Sequence, residues 1–261
     1  MELGLEGMRA LVGGATSGLG YGSADALAAA GCDLLIWSRN ETELVEVGQK
    51  LNMAHGVEVA HVAADASQPT AAQAVADAAA RFGPIDIIVL NAGGPPTVDP
   101  TATEPEAWGR AFQLLATTPI DLASRLLPEM RTRGRGRVVA ILSSAIRQPI
   151  PDLVYSTAGR SALAAWMKTT ARAVAADGVT INGVMPGRIA TPRIHQLDSG
   201  RAEREGSTEE AVRTAHIATI PTGRYGRPED LGALVTFLAS ERASYITGQL
   251  IAVDGGLIAG L

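Results

Sequence analysis

The sequence predicts an α/β protein with a single doubly wound domain, in which a seven-stranded parallel sheet carries helices on both faces. Two observations support this prediction. Short, very apolar segments typical of buried strands alternate with longer segments of helical periodicity along almost the whole chain. No linker-like segment divides the 261 residues, so one domain spanning 1–261 accounts for the length. Parallel strands need crossover helices, which then cover both faces of the sheet.

The composition excludes several classes of protein. A net charge of -5 argues against a nucleic-acid-binding surface as the main function. Cys32 is the only cysteine and the four histidines lack the spacing of metal ligands, so neither a disulfide nor a metal site is predicted. The N-terminus is not signal-like, and no apolar run is long enough to span a membrane. We therefore expect a cytoplasmic protein with no membrane and no nucleic-acid partner.

Apolar runs and helical periodicity define the elements of the first half of the chain. The Gly83-Pro84 pair ends the third helix, because neither residue continues a helix well. The fourth strand is very apolar and runs into Asn91-Ala92-Gly93-Gly94. The predicted order is strand 10–12, helix 20–30, strand 32–37, helix 41–52, strand 57–63, helix 71–82 and strand 86–90.

The second half continues the alternation with one long helix and one irregular segment. A loop at 95–105 precedes a helical stretch at 106–131 that contains Pro119. Residues 189–222 are polar, rich in Arg and Glu, and only weakly helical. The other predicted elements are strand 138–142, helix 156–176, strand 179–184, helix 228–240 and strand 250–253.

A glycine-rich turn joins the first strand to the first helix. Gly14, Gly18 and Gly20 give the spacing G-x-x-x-G-x-G. Glycine permits positive φ in such a turn, and it lets backbone N–H groups approach a phosphate without a Cβ in the way. The helix that follows points its positive end at the same phosphate. A plain tight turn is the alternative, but the position between strand and helix favours a phosphate site.

Six segments that contain glycine, proline or polar residues lie at the carboxyl ends of predicted strands. Because parallel strands bring their carboxyl ends to one edge of the sheet, and a doubly wound fold binds its ligand outside that edge, these segments should lie together. Their convergence predicts a dinucleotide site. The six segments are the loop 14–20, Arg39, Asp65, Asn91 to Gly93, Ser143 and Pro186-Gly187.

Six motifs carry a family resemblance that covers nearly the whole chain. They are Gly-Gly-Ala-Thr-Ser-Gly-Leu-Gly at 13–20, Asn-Ala-Gly at 91–93, Ile-Asn-Gly-Val-Met-Pro-Gly-Arg-Ile-Ala-Thr at 181–191, Gly-Arg-Tyr-Gly-Arg-Pro-Glu-Asp-Leu at 223–231, Phe-Leu-Ala-Ser-Glu-Arg-Ala-Ser-Tyr-Ile-Thr-Gly-Gln at 237–249 and Val-Asp-Gly-Gly at 253–256. With them the chain resembles the short-chain dehydrogenase/reductase family, in particular its 3-oxoacyl-carrier-protein-reductase-like members. The resemblance implies a Rossmann-type fold and a nicotinamide cofactor. One departure is Gly13, where the family usually has threonine.

The resemblance also implies which residues would hold the cofactor. The turn that runs through Gly14, Thr16, Ser17, Gly18, Leu19 and Gly20 would approach the pyrophosphate. The remaining assignments are Asp65 and Ala66 to the adenine, Asn91, Ala92 and Gly93 to the adenosine ribose side, Arg160 to the other ribose, and Pro186, Gly187, Ile189 and Thr191 to the nicotinamide.

The end of the second strand indicates which cofactor is preferred. A carboxylate there would bind both ribose hydroxyls and repel a 2′-phosphate, but this chain has Ser38 followed by Arg39. The Arg39 guanidinium can pair bidentately with a phosphate. NADP(H) is therefore predicted over NAD(H), with a solvent-exposed residue at a helix start as the alternative for Arg39.

The catalytic residues depart from the family pattern. Ser143 fits the serine that orients the substrate oxygen, but the usual tyrosine position holds Ser156 and the usual lysine position holds Arg160. Tyr155 lies one residue earlier, turned about 100° away from the face that Ser156 and Arg160 share on a helix. Leu115 stands where the family has an asparagine that anchors a water relay.

This departure leaves several alternatives open. In the first, Tyr155 lies at an irregular helix start and its hydroxyl still reaches the substrate beside Arg160. In the second, Ser143, Ser156 and Arg160 bind the substrate oxygen, and the proton comes from water or the substrate. In the third, the cofactor is bound without redox chemistry, as in a sensor or scaffold. A further alternative resembles halohydrin dehalogenases, which use Ser, Tyr and Arg without a nucleotide; those enzymes lack the glycine loop that is intact here.

The polar segment after the sixth strand and the apolar C-terminus bear on substrate and subunit contacts. The segment 188–224 should form a lid over the nicotinamide, with most of its charged residues in solvent. Arg147 and Gln148 are candidates to meet an anionic substrate, but the sequence names no substrate. The resemblance implies interfaces along the two long helices and the C-terminal strand, and the apolar C-terminus suits burial in a partner. A homotetramer or homodimer is therefore expected.

Overall fold

The computed structural model describes residues 3–260, so residues 1, 2 and 261 of the predicted domain lie outside the described part of the chain. Within it, strands and helices alternate along nearly the whole length. In chain order the elements are β1 (Arg9–Gly13), α1 (Gly18–Ala29), β2 (Asp33–Ser38), α2 (Glu41–His55), β3 (Val59–Ala63), α3 (Ala71–Phe82), β4 (Ile87–Leu90), α4 (Pro105–Phe112), α5 (Thr118–Thr132), β5 (Gly136–Ile141), α6 (Val154–Val174), β6 (Val179–Pro186), α7 (Pro192–Glu205), α8 (Glu209–Ile217), α9 (Pro228–Ala239) and β7 (Leu250–Val253).

The strands form one parallel sheet in the order β3-β2-β1-β4-β5-β6-β7, which confirms the predicted seven-stranded α/β fold. A separate apolar core covers each face. Successive residues of β1 alternate between the cores: Leu11 packs into one, while Ala10 and Val12 pack into the other. This alternation follows from the period of two in a strand, and burial on both faces explains why the strands are continuously apolar.

The position of β1 in the sheet determines where a ligand can bind. β1 pairs with β2 on one side and with β4 on the other, so the strand order reverses beside it. The connections from β1 and β4 leave toward opposite faces, and a crevice opens between them at the carboxyl ends of the strands.

The predicted helix 106–131 is wrong as a single element. The structure divides it into α4 and α5, separated by a π-helical turn at Gln113–Thr117. Pro119 is accommodated because it lies in the first turn of α5, where a missing N–H breaks no helical hydrogen bond.

Two further segments differ in detail from the predictions. Helix α6 begins at Val154 rather than at residue 156, directly after a short 3₁₀ turn at Pro151–Leu153. Tyr155 therefore lies within regular helix. The weakly helical stretch 189–222 forms two helices, α7 and α8. Among the described residues, no helix is long and apolar enough to cross a membrane.

Candidate active site

A cavity of about 1280 Å³ opens at the carboxyl ends of the strands and extends under α7. All six segments that the sequence analysis singled out contribute to its walls. Of the residues predicted to bind the cofactor, only Gly20 is absent from the lining. Those that line the cavity are Gly14, Thr16, Ser17, Gly18, Leu19, Ser38, Arg39, Asp65, Ala66, Asn91, Ala92, Gly93, Arg160, Pro186, Gly187, Ile189 and Thr191.

The glycine turn has the backbone conformation that its sequence predicts. Gly14 and Gly18 have φ of +59° and +56°, values that other residues rarely adopt. Gly20 has a different role from the one predicted: a Cβ there would lie 2.1 Å from the Gly14 carbonyl oxygen, so Gly20 supports the turn by close packing rather than lining the cavity. Ser17 precedes α1 without a side-chain hydrogen bond to it, which leaves the first amides of the helix for an anion.

The departure at Gly13 is explained by a tryptophan on the neighbouring strand. A Cβ at Gly13 would lie 2.4 Å from the Asn91 carbonyl oxygen and 3.0 Å from Trp37 Nε1, so the family's threonine would not fit. Trp37 lines the cavity, and its buried Nε1–H has no hydrogen-bond partner in the described part of the chain. The Asn91 side chain donates to the Gly13 carbonyl at 3.0 Å and so joins the ends of β1 and β4. In the sequence, Trp37 is indistinguishable from an ordinary apolar strand residue, so no pattern points to its place in the site.

The end of β2 presents a cation to the cavity. Arg39 is exposed, lines the cavity and has no carboxylate partner among residues 3–260. Asn40 begins α2 by accepting a hydrogen bond from the Glu43 amide at 3.3 Å, and Ser38 Oγ accepts one from the Asn40 amide at 3.4 Å. These local bonds fix the strand-to-helix turn and leave the Arg39 guanidinium without a competing anion.

Ser143, Ser156 and Arg160 line the same part of the cavity. Arg160 Nε donates to Ser156 Oγ at 3.3 Å, and Arg160 Nη1 donates to the Ile141 carbonyl at 2.7 Å. Ser143 Oγ accepts from the Ala145 amide at 3.1 Å. Since each serine hydroxyl only accepts in these bonds, its proton is left to donate to a ligand oxygen.

Burial and a neighbouring charge act on Arg160. Burial, and secondarily the charge of Arg193, lower the pKa of Arg160 to about 10. The guanidinium nevertheless stays protonated at neutral pH. Ser156 and Arg160 of α6, together with Ser143 after β5, therefore present a positive charge and two hydroxyl donors to the cavity.

The structure does not bring Tyr155 to this point, which corrects its candidacy as a catalytic residue. Its side chain is 4% exposed and absent from the cavity lining. The Tyr155 hydroxyl accepts a hydrogen bond from the Glu104 amide at 2.9 Å, and the ring packs edge-on against Trp108 at 4.7 Å between centroids. Residues four apart on a helix share one face, so Ser156 and Arg160 lie on the same face of α6. Tyr155 therefore points away from that face.

The position of the family's relay asparagine is apolar and tightly packed. Leu115 is 2% exposed in the π-helical turn, and a Cβ at Gly159 of α6 would lie 2.9 Å from its Cβ. Behind Arg160 lies a cavity of about 10 Å³, walled mainly by Leu115, Leu163 and other apolar residues. A space of that size holds at most one water, and it offers few polar partners for one. The described residues therefore contain no room for a chain of waters there.

Helix α7 contributes charged residues that the sequence analysis expected in solvent. Arg193, Arg201 and Arg204 line the cavity, whereas Arg147 and Gln148 are exposed and lie outside its lining. A polar segment of weak periodicity carries no signal that distinguishes its inward-facing arginines from the others.

A buried polar cluster in the wall of the cavity anchors α7 and α8. Asp198 is 2% exposed and accepts hydrogen bonds from Arg188 at 3.1 Å and from the Tyr225 hydroxyl at 2.7 Å. His216 Nδ1 lies 3.2 Å from Asp198, and its Nε2 lies 2.8 Å from Arg201 Nη1. Because a guanidinium only donates, Nε2 must be the acceptor, and His216 is neutral with its proton on Nδ1. Burial lowers the pKa of His216, which agrees with this assignment.

Comparison with known proteins gives matches over nearly the whole chain. A family profile described as enoyl-(acyl carrier protein) reductase matches residues 14–258. The putative ketoacyl reductase of a monensin polyketide synthase from Streptomyces virginiae is 34% identical over 95% of this chain and 96% of its own. The D-beta-hydroxybutyrate dehydrogenase of Cupriavidus necator is 31% identical over 98% and 99% of the two chains.

Two solved structures show the same architecture. The L-sorbose reductase of Gluconobacter frateurii, complexed with NADPH and L-sorbose, superposes with a TM-score of 0.94 at 30% identity over 100% of both chains. A 3-oxoacyl (acyl-carrier-protein) reductase of Agrobacterium tumefaciens with NADP bound gives a TM-score of 0.88 at 29% identity, over 97% of this chain and 95% of the other.

Proposed function

The chain belongs to the short-chain dehydrogenase/reductase family, and we propose that it is an NADP(H)-dependent oxidoreductase that transfers hydride to or from a carbonyl or alcohol group of a small molecule without a tyrosine proton donor. The observation that carries this proposal is one cavity that joins the glycine turn and Arg39 to the cluster of Ser143, Ser156 and Arg160.

The residues present fit a dinucleotide. The turn at Gly14 and Gly18 leaves space that a Cβ would fill, and the first amides of α1 face it without a side-chain cap. Asn91 would hold the adenosine ribose, Arg160 the other ribose, and the segment from Pro186 to Thr191 the nicotinamide. When bound, NADP(H) supplies or accepts the hydride that no side chain of this protein can provide.

Two features support NADP(H) over NAD(H). Ser38 offers no carboxylate that would repel a 2′-phosphate, and the unpaired Arg39 guanidinium provides a bidentate donor beside it. The two structural relatives described above are named with NADPH or NADP bound.

The substrate oxygen would bind at the serine–arginine cluster. The hydroxyl protons of Ser143 and Ser156 are both left to donate to a substrate oxygen, and the Arg160 charge favours the partial negative charge that this oxygen carries in the transition state. Arg160 does not release its proton at neutral pH, so the proton reaches the oxygen from water in the open cavity or through the Ser156 hydroxyl. Absence of a dedicated general acid costs about 10²–10⁴-fold in rate.

The segment 188–224 would act as the lid over this site. It supplies α7, whose Arg204 pairs with Asp152 at 3.0 Å on the opposite rim of the cavity, just before α6. A surface ion pair of this kind is weak enough to open for exchange of ligands.

The position of Tyr155 and the fate of bound NADPH distinguish the alternative functions from this proposal. Chemistry like that of halohydrin dehalogenases needs a tyrosine beside the arginine, and Tyr155 is bonded to Glu104 outside the cavity. A sensor or scaffold without redox activity would bind NADPH but never oxidise it. Adding candidate substrates to the NADPH-bound protein separates this alternative from the proposed oxidoreductase.

A homodimer or homotetramer is also proposed. Phe112 at the end of α4 is 37% exposed, and it lies in the segment 106–131, along which the family resemblance implies a subunit interface. Light scattering on the purified protein measures the oligomeric state directly, and a monomer would contradict this part of the proposal.

Titration of the purified protein with NADPH and NADH, followed by nicotinamide fluorescence, tests the proposal first. We expect tighter binding of NADPH, and oxidation of bound NADPH when a panel of ketones, quinones and imines is added. Binding without oxidation by any compound would favour the sensor alternative. A protein that binds neither nucleotide would contradict the proposed function.

A further inference from the structure

Six arginines line the cavity, and their partners divide them into two groups. Three are paired with carboxylates of the same chain. The other three, Arg39, Arg160 and Arg193, have no carboxylate partner among residues 3–260. The paired ones are Arg188 with Asp198 at 3.1 Å, Arg201 with Glu205 at 2.6 Å and Arg204 with Asp152 at 3.0 Å.

The unpaired arginines lie at the two ends of the cavity. Arg39 follows β2, where the proposed function places the 2′-phosphate. Arg193 lies in the first turn of α7, and its guanidinium packs over Gly94, where a Cβ would be 3.1 Å from Arg193 Nε. It also donates a hydrogen bond to the Pro95 carbonyl. At the same end of the cavity as Arg193, Arg160 lies beside Ser143 and Ser156.

Arg160 and Arg193 have no carboxylate partner among residues 3–260, and burying two such guanidinium groups costs free energy. Burial lowers the pKa of Arg193, and the charge of Arg193 contributes to the lowered pKa of Arg160. Each group loses hydration, and the two charges repel. A ligand carboxylate between or beside them would offset both costs, and the planar fork of a guanidinium matches carboxylate geometry.

We propose that the substrate is a carbonyl or hydroxy compound that carries a carboxylate, and that Arg193 binds this carboxylate while Ser143, Ser156 and Arg160 hold the reacting oxygen. This inference rests on the proposed function and narrows its substrate class. A keto acid would bring negative charge to the end of the cavity where Arg160 and Arg193 have no carboxylate partner among residues 3–260. The cofactor's diphosphate is the other anion within the proposed site, and the test must separate the two sources.

Pairs of compounds that differ only in charge test the proposal. Acetoacetate and levulinate are compared with their methyl esters in NADPH oxidation by the wild type and by Arg193→Gln, Arg193→Lys and Arg147→Gln. Arg147 is exposed outside the cavity lining, so its variant controls for loss of an arginine. The NADPH Kd of each protein is measured in parallel.

The proposal predicts a charge-specific loss. Wild-type kcat/KM should favour the acids by roughly 10-fold or more. Arg193→Gln should lower kcat/KM for the acids by roughly 10- to 100-fold and leave the esters unchanged, while Arg193→Lys keeps part of the preference. Equal kcat/KM for acid and ester in the wild type, or equal losses for both in Arg193→Gln, overturns the proposal. A matching loss of NADPH affinity in Arg193→Gln also overturns it, because Arg193 then serves the diphosphate.

A binding measurement makes the test independent of turnover. Butyrate and pentanoate, with their methyl esters as controls, are titrated calorimetrically into the protein with and without NADP⁺. The wild type should bind the carboxylates roughly 10-fold more tightly than Arg193→Gln does. Equal affinities overturn the substrate assignment. Failure of the wild type to bind NADPH contradicts the proposed function instead, and the carboxylate titration of the free protein still decides the role of Arg193.

Discussion

Arg160 Nε donates to Ser156 Oγ at 3.3 Å, one helical turn apart on α6. In the proposed function this pair takes the place that the family resemblance assigns to a tyrosine and a lysine. Its members can orient and polarise a substrate oxygen, but neither is a strong proton donor at neutral pH. The geometry therefore favours an oxidoreductase in which hydrogen bonding and charge stabilise the oxygen, and the proton comes from solvent.

Arg39→Asp should reverse the preference between cofactors. The substitution removes a bidentate donor and places a carboxylate where it repels a 2′-phosphate. We expect the NADPH affinity to fall by roughly 100-fold or more, while NADH binding is unchanged or stronger. Fluorescence titration with both nucleotides measures the ratio. Arg81→Asp, an equal change of charge at an exposed residue outside the cavity lining, is the control. An unchanged ratio in Arg39→Asp would refute the phosphate assignment.

Gly20→Ala should distort the glycine turn. Its Cβ would lie 2.1 Å from the Gly14 carbonyl oxygen, so the turn or α1 must move. We expect a loss of about 1–3 kcal/mol in the free energy of unfolding, together with loss of NADPH binding. Gly109→Ala is the matched control, because a Cβ there meets no atom within 4 Å in the described structure and the residue lies within α4.

The control should be stabilised by about 0.5–1 kcal/mol, since alanine is the better helix former. Thermal unfolding of both variants checks the pair. A Gly20→Ala protein with wild-type stability and NADPH affinity would contradict the packing role.

His216 should make stability depend on pH. Burial lowers its pKa in the folded protein, so below about pH 6.5 the unfolded chain takes up a proton that the folded chain resists. The contribution of His216 to the free energy of unfolding is therefore at its maximum above about pH 6.5, and it decreases as the pH is lowered. The slope for one such group is at most about 1.4 kcal/mol per pH unit.

Calorimetric Tm values between pH 5 and 8 test this dependence. In His216→Gln the slope should be shallower, because the Gln oxygen can still accept from Arg201 but does not titrate. Parallel curves for the two proteins would show that His216 is not the group responsible.

The fold was predictable because its determinants are local. Period-two and period-3.6 patterns and the apolar strands define the elements, and helix α3 and strand β7 have the predicted bounds. The π-helical turn around Leu115, which packs against Gly159 of a distant helix, was not predictable, because the helical periodicity of 106–131 carries no sign of it.

The candidate site was predictable in part for the same reason. The rule for carboxyl ends of parallel strands identifies the segments that meet, and helical period accounts for the direction of Tyr155. Trp37 and Arg193 were missed because their importance lies in tertiary contacts, with Gly13 on the next strand and with the loop at Gly94. A sequence pattern carries no information on either contact.

The most direct test of the central claim compares NADPH oxidation by Tyr155→Phe and Ser156→Ala, with the best substrate of the panel and at a temperature where both variants are folded. Tyr155→Phe removes the acceptor of the Glu104 amide and should lose stability, about 1–3 kcal/mol, but keep kcat within about twofold of the wild type. Ser156→Ala should lower kcat by roughly 10²-fold. Loss of activity in Tyr155→Phe with full activity in Ser156→Ala would contradict the account.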